Sequence, residues 1–184
     1  MKVIFFRRGE TESNVRHILQ GAGVNSLLNS KGILQAKKLA LSTPTLGLDK
    51  IYSSTLTRAI QTATLTAAVC GLDVEPIKGM EEFHYGDAEG MTIQAAAEKY
   101  VDMQKIIFDD LSGDFKDKSL PNGETVEQCL KRLKKTLQQI KKRNQQNHKC
   151  IGVFTHGAVM CLLYDYFYHE RKAFKNCEWF EVEL

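Results

Sequence analysis

Apolar runs that alternate with helix-period segments organise this chain. Residues 2–6, KVIFF, form a continuous apolar run and predict a strand buried on both faces. Residues 30–41, SKGILQAKKLAL, carry apolar side chains at 33, 34, 39 and 41 behind Ser30 in the N-cap position, and predict an amphipathic helix. A short strand follows over 49–54 (DKIYSS), then a helix over 57–70 stopped by Gly71, a strand over 73–77 and a polar loop over 79–90. Residues 92–111 read as helical, with a break around 101–103.

The segment 112–124, SGDFKDKSLPNGE, holds two glycines and a Pro-Asn-Gly turn signal and reads as a long surface loop. Apolar positions 126, 129, 130, 133, 137 and 140 then recur at helical period over 124–146, with Lys and Arg on the other side as a solvated face. A second buried strand over 149–155 (KCIGVFT) runs into His156-Gly157, a helix covers 158–168, and the alternating segment 177–184 reads as an edge strand. Strands alternating with helices predict an α/β fold: one three-layer domain over 1–184, with a mostly parallel central sheet and helices on both faces.

Composition narrows the class. Hydrophobic residues make up 43% and charged residues 26%, and net charge is +3, which suits a small anionic ligand without requiring nucleic acid. No window approaches the ~20 apolar residues of a membrane span, and MKVIFF is too short for the apolar part of a signal peptide, so a cytoplasmic protein is expected. Five cysteines without a CxxC pair read as reduced thiols, and the histidines show no metal-ligand spacing, so neither metal nor cofactor is expected. The aromatic run YDYFYH at 164–169 reads as core and helix end, and nothing fixes an oligomeric state.

Three strand ends carry the chemistry. Arg7-Arg8-Gly9 follows the first strand, Ser53-Ser54 with Arg58 the second, and Thr155-His156-Gly157 the later one. Ligands of open α/β sheets bind beyond the carboxyl ends of the strands. Singly, a histidine there reads as a structural hydrogen-bonder and an arginine as a solvated charge. Packing alone would not place cationic and polar groups at all three, so together they point to an anion site. No GxxxxGK[ST], GxSxG or dinucleotide fingerprint is present.

The ordered pieces RRGETESN at 7–14, QG at 20–21, SSTLTRAIQTA at 53–63, EFHYGDAEG at 82–90, PNGET at 121–125 and FTHGAVM at 154–160 resemble the histidine phosphatase (phosphoglycerate mutase-like) superfamily. The style is most similar to the small α-ribazole phosphatase and broad-specificity phosphatase branch. The resemblance implies a metal-independent phosphomonoesterase acting on a small phosphorylated metabolite through a phosphohistidine. It implies that Arg7, Arg58 and His156 hold phosphoryl oxygens and that Glu82 is the acid. Asn14 and the backbone at Gly9 and Gly157 would line the pocket, roofed by 92–111 and 112–122. His84 would lie beside the acid rather than in line. Ala88, where the family commonly has Trp, would alter the pocket wall.

The chain departs from the family at its nucleophile. The signature reads Arg-His-Gly-Glu-Thr, and here the place of its histidine is taken by Arg8. A neutral imidazole offers a lone pair, whereas a guanidinium with a pKa above about 12 has none to give. The expected result is a protein that binds phosphate but is strongly impaired in hydrolysis. Three accounts of Arg8 stay open: a variant of an active phosphatase that carries histidine at this position, a non-catalytic phosphate-ligand-binding or regulatory protein, or a reassigned mechanism in which His156 or water attacks.

Overall fold

The computed structural model describes residues 1–100, 117–144, 146–147 and 149–184. Five strands form one sheet in the order β3-β2-β4-β1-β5: β1 (Lys2–Arg7), β2 (Lys50–Ser53), β3 (Val74–Pro76), β4 (Cys150–Thr155) and β5 (Trp179–Glu183). The first four run parallel, and β5 closes one edge antiparallel to β1. Side chains alternate across β1 as the pleat requires: Val3 and Phe5 enter one core, Ile4 and Phe6 the other. The first core is completed by α5 (Val126–Asn144) and α6 (Gly157–Tyr168), the second by α2 (Ser30–Ser42) and α3 (Thr57–Cys70). The short helices α1 (Glu12–Val15) and α4 (Ile93–Lys99) sit in the connections. The expected three layers are therefore present.

The chain leaves adjacent strands β1 and β4 toward opposite faces, into α2 and α6 respectively. That divergence is a topological switch point, where a crevice opens at the carboxyl edge of a parallel sheet. The register places Arg7 opposite Thr155 and Ser53 opposite Phe154, so the three polar strand ends finish at one level.

Local differences from the sequence expectation have physical causes. Asn29, not Ser30, caps α2, its side chain accepting the Gly32 amide at 2.7 Å. Within α2 the buried face is Gly32, Ala36, Leu39 and Ala40, while Leu34 and Leu41 are 66% and 75% exposed. Small residues make up most of this face because α2 packs on the alanine face of α3 (Ala59, Ala63, Ala67), with Leu39 the one large side chain among them. Helix α4 ends at Lys99, and the remainder of the helical segment expected through 111, with most of the following loop, lies outside the described residues.

Candidate active site

Each predicted site residue can be followed from its strand end. Arg7 closes β1 and lies against Gly157: a Cβ on that glycine would stand 3.2 Å from Arg7 Cζ. Its Nη1 donates to the carbonyl of Phe174, which fixes the plane of the guanidinium. Arg8 continues the sheet ladder, its amide donating to Thr155 O at 3.0 Å. Its side chain is buried, and Nη1 donates to Gly9 O at 2.7 Å and to Asn14 Oδ1. Asn14 Oδ1 also accepts from Thr11 N and Thr11 Oγ1, both at 3.1 Å, so this amide oxygen is fully committed within the loop.

Arg58, in the first turn of α3, is fully buried. Nη1 donates to Val24 O at 2.6 Å and Nη2 to Gly21 O at 2.7 Å. That loop is held in turn by Glu89, whose carboxylate accepts the amides of Ala22, Gly23 and Tyr85 at 3.1, 2.8 and 3.0 Å. His156 is also fully buried, with Nε2 2.8 Å from Ser54 Oγ. Ser54 Oγ also accepts the Leu56 amide at 3.3 Å.

Four nitrogens in this region are buried and have no hydrogen-bond partner: Nε of Arg7, Arg8 and Arg58, and Nδ1 of His156. Buried donors in native proteins are almost always satisfied. These four nitrogens near three strand ends are uncommitted within the protein, and an oxyanion offers several lone pairs suited to such groups.

Electrostatics agree. Burial, reinforced by Arg58 and Arg7, pulls the Arg8 guanidinium down to about 9. That is well below the value above about 12 expected from sequence, yet at neutral pH the group is still a cation without a lone pair. Burial also lowers Arg58. His156 lies well below its ordinary value, through burial first and then the surrounding Arg58, Arg8, Arg132 and Arg7, so its imidazole is neutral. Glu82 is the carboxylate in this field; it accepts Phe83 N at 3.0 Å and the first-turn amides of α6 at Val159 (3.3 Å) and Ala158 (3.4 Å).

A cavity of about 440 Å³ opens over these groups. Arg7, Arg8, Asn14, Glu82 and Gly157 line it, whereas Arg58 and His156 do not reach its wall and lie in the layer behind. Gly9 is not in the lining either. Its amide donates to Thr62 Oγ1 at 3.1 Å, and it has no room for a side chain because Gly32 O would meet a Cβ at 2.6 Å. Ala88 is packed in the core rather than at the pocket wall, so the Trp-to-Ala difference acts on packing. His84 accepts the Gly86 amide through Nδ1 at 3.1 Å and stays out of the cavity. Of the segments expected to roof the pocket, Ile93 contributes to its lining, and 101–116 lie outside the described residues.

Arg132 corrects the reading of the basic face of α5 as simply solvated. Its Nε and Nη2 grip the Glu124 carboxylate at 2.9 and 2.6 Å. Nη1 donates to Gly79 O and Glu81 O, and Nη2 to Glu82 O, at 3.0, 2.9 and 3.0 Å. All of its donors are spent on Glu124 and the segment that carries Glu82. Along the chain nothing distinguishes Arg132 from its lysine neighbours, because the carbonyls it holds are some fifty residues away.

The family model of the histidine phosphatase superfamily (branch 1) matches residues 3–183. Among curated proteins, the chain is 32% identical over 168 residues to phosphoglycerate mutase-like protein 4 of Arabidopsis thaliana, covering 89% of this chain and 70% of that one. It is 30% identical over 169 residues to a metal-independent phosphoserine phosphatase of the same plant, covering 89% and 67%. Among solved structures, a mycobacterial glucosyl-3-phosphoglycerate phosphatase complexed with VO3 superposes with a TM-score of 0.86 at 20% identity, over 99% of this chain and 90% of that one. The α-ribazole phosphatase of Shigella flexneri gives 0.80 at 23% identity, over 100% and 91%. These likenesses extend the agreement in fold across the whole sheet.

Proposed function

The chain belongs to the histidine phosphatase superfamily, whose chemistry is phosphoester hydrolysis, and we propose that it binds phosphate or a small phosphomonoester while being strongly impaired in turnover. The four unpartnered nitrogens of Arg7, Arg8, Arg58 and His156 carry the first half of this reading. Arg7 and Arg8 meet the phosphoryl oxygens from the cavity lining, beside Gly157 and Ala158 in the first turn of α6, while the buried Arg58 and His156 act from the layer behind the wall. Glu82 is the group that would protonate a departing oxygen.

Arg8 carries the second half. It occupies the position from which an imidazole would attack phosphorus, and it brings a third guanidinium that strengthens anion binding. A loose phosphoryl transition state is served by such a charge clamp, but covalent catalysis also needs a nucleophile, and a protonated guanidinium is none. Five free thiols fit a reducing compartment such as the cytoplasm; no helix among the described residues is long and apolar enough to cross a membrane.

The test pairs two measurements on the same protein. Calorimetric titration with inorganic phosphate or vanadate at low salt should show binding that weakens as salt rises. Hydrolysis of an aryl phosphate without added metal should be slight. Absence of anion binding at millimolar concentration overturns the binding assignment, and rapid turnover overturns the impairment.

A further inference from the structure

The cavity is larger than a phosphoryl group needs, and the remainder of its lining is chemically divided. Ile18, Leu19, Ile93 and Phe174 give it an apolar wall. At its exposed mouth stand Arg171 and Lys172. Lys172 is held in place: its Nζ lies 5.1 Å from the ring centroid of Phe174 and 5.3 Å from that of Tyr164. The carbonyl of the same Phe174 receives Arg7 Nη1, so one residue couples the mouth to the arginine floor. Among the described residues, no carboxylate pairs with Lys172.

The charges facing the cavity are lopsided. Arg7 and Arg8 at the floor and Arg171 and Lys172 at the mouth stand against one carboxylate, Glu82, whose oxygens already meet backbone amides. A phosphomonoester brings about −1.5 to −2 at neutral pH. Seated at the floor it answers Arg7 and Arg8, and among the described residues no carboxylate remains to answer Lys172. A small inorganic ion would leave both the mouth and the apolar wall unused.

We propose that the cavity takes a phosphomonoester with an apolar or aromatic body that carries a second anionic group, the phosphoryl at the Arg7–Arg8 floor and the second group at Lys172. This rests on the assignment of the floor as the phosphoryl site. The apolar wall covers the body, and the ammonium on its two aromatic rings receives the second charge. The class of ligand is a two-ended anion, in contrast to a neutral phosphorylated sugar or inorganic phosphate.

Calorimetry with four probes tests it: inorganic phosphate, phenyl phosphate, 4-carboxyphenyl phosphate and the neutral 4-carbamoylphenyl phosphate. The two substituted esters differ in charge but hardly in size. The carboxylate ester should bind roughly five- to tenfold tighter than the carbamoyl ester, and the ratio should shrink as salt rises. Lys172→Gln should bring that ratio close to one and Lys172→Arg should keep it. Because each ratio is taken within one protein, a general loss of affinity does not imitate the effect. Equal affinity for the two esters, or a ratio that survives Lys172→Gln, overturns the second subsite while phosphate binding leaves the phosphoryl floor standing. Failure of inorganic phosphate and phenyl phosphate alike to bind removes the floor assignment and this inference with it.

Discussion

The guanidinium of Arg7 lies against Gly157 so closely that a methyl group there would fit only tightly: a Cβ would lie 3.2 Å from Cζ and 3.3 Å from Nε. Arg7 cannot step aside freely, because Nη1 is tied to Phe174 O. Gly157→Ala should therefore shift the guanidinium by a few tenths of an ångström out of its anion-facing plane. Phosphate affinity should fall roughly three- to tenfold, about 1 kcal/mol, with little change in thermal stability. Titration calorimetry with inorganic phosphate measures it, and unchanged affinity would show that Arg7 does not address the anion in this plane.

Glu89 governs Arg58 at one remove. Its two oxygens hold the amides of Ala22, Gly23 and Tyr85, and the loop so formed presents Gly21 O and Val24 O to Arg58. Glu89→Gln retains the shape but turns an amide donor toward backbone N–H groups. It should cost about 1–2 kcal/mol in denaturant unfolding and should also weaken phosphate binding. A double variant with Arg58→Met separates the two effects: the loss of affinity from Glu89→Gln should vanish when Arg58 is absent, whereas the stability cost should remain.

His156 makes stability depend on acid. In the unfolded chain its imidazole takes up a proton near pH 6.5; in the folded protein, burial and four arginines hold its pKa well below that. As pH falls below about 6.5 the unfolded state therefore binds a proton that the folded state refuses. Stability drops by up to about 1.4 kcal/mol per pH unit from this residue alone, and is recovered as pH rises back through 6.5. Urea unfolding of the protein and of His156→Gln between pH 7 and 5 should show a shallower slope for the variant. Parallel slopes would mean that the folded imidazole titrates normally.

The sheet and its helices were legible because apolar run length and helical period report burial directly: 57–70 with Gly71 as its stop corresponds to α3 residue for residue. Helix α2 was legible in extent but only in part in facing: Leu39 is buried as its pattern implied, while the rest of the buried side is Gly32, Ala36 and Ala40, which carry little hydropathy signal. Arg7 and Arg8 could be read from a strand end and Glu82 from the family resemblance alone, and all three line the one cavity. The supporting contacts of Arg132, Glu89 and Ser54 could not, because each joins segments that only the folded sheet brings together. Nor could sequence show that Arg58 and His156 stand behind the cavity wall, which depends on how deeply α3 and β4 are buried.

Arg8→His is the decisive change. The amide of residue 8 is fixed to Thr155 O at 3.0 Å whatever its side chain, so an imidazole there starts from the same strand end. Asn14 Oδ1, which now accepts from the Arg8 guanidinium, becomes an acceptor for one ring N–H and leaves the other ring nitrogen with its lone pair. Around it, Arg7 lines the cavity, Arg58 and neutral His156 lie behind its wall, and Glu82 meets the start of α6. Two effects should follow together. Removal of a buried cation that sits among Arg58 and Arg7 should raise the stability of the ligand-free protein, by about 2–4 °C for each kcal/mol relieved. Metal-independent hydrolysis of an aryl phosphate should rise by several powers of ten, each worth about 1.4 kcal/mol of barrier. Acid quench during turnover should trap an acid-labile phosphoryl group on the Arg8→His protein and none on the parent. If the parent already turns over rapidly and the histidine adds nothing, Arg8 is not the block, and loss of that activity in His156→Ala would then identify the second histidine as the attacking group.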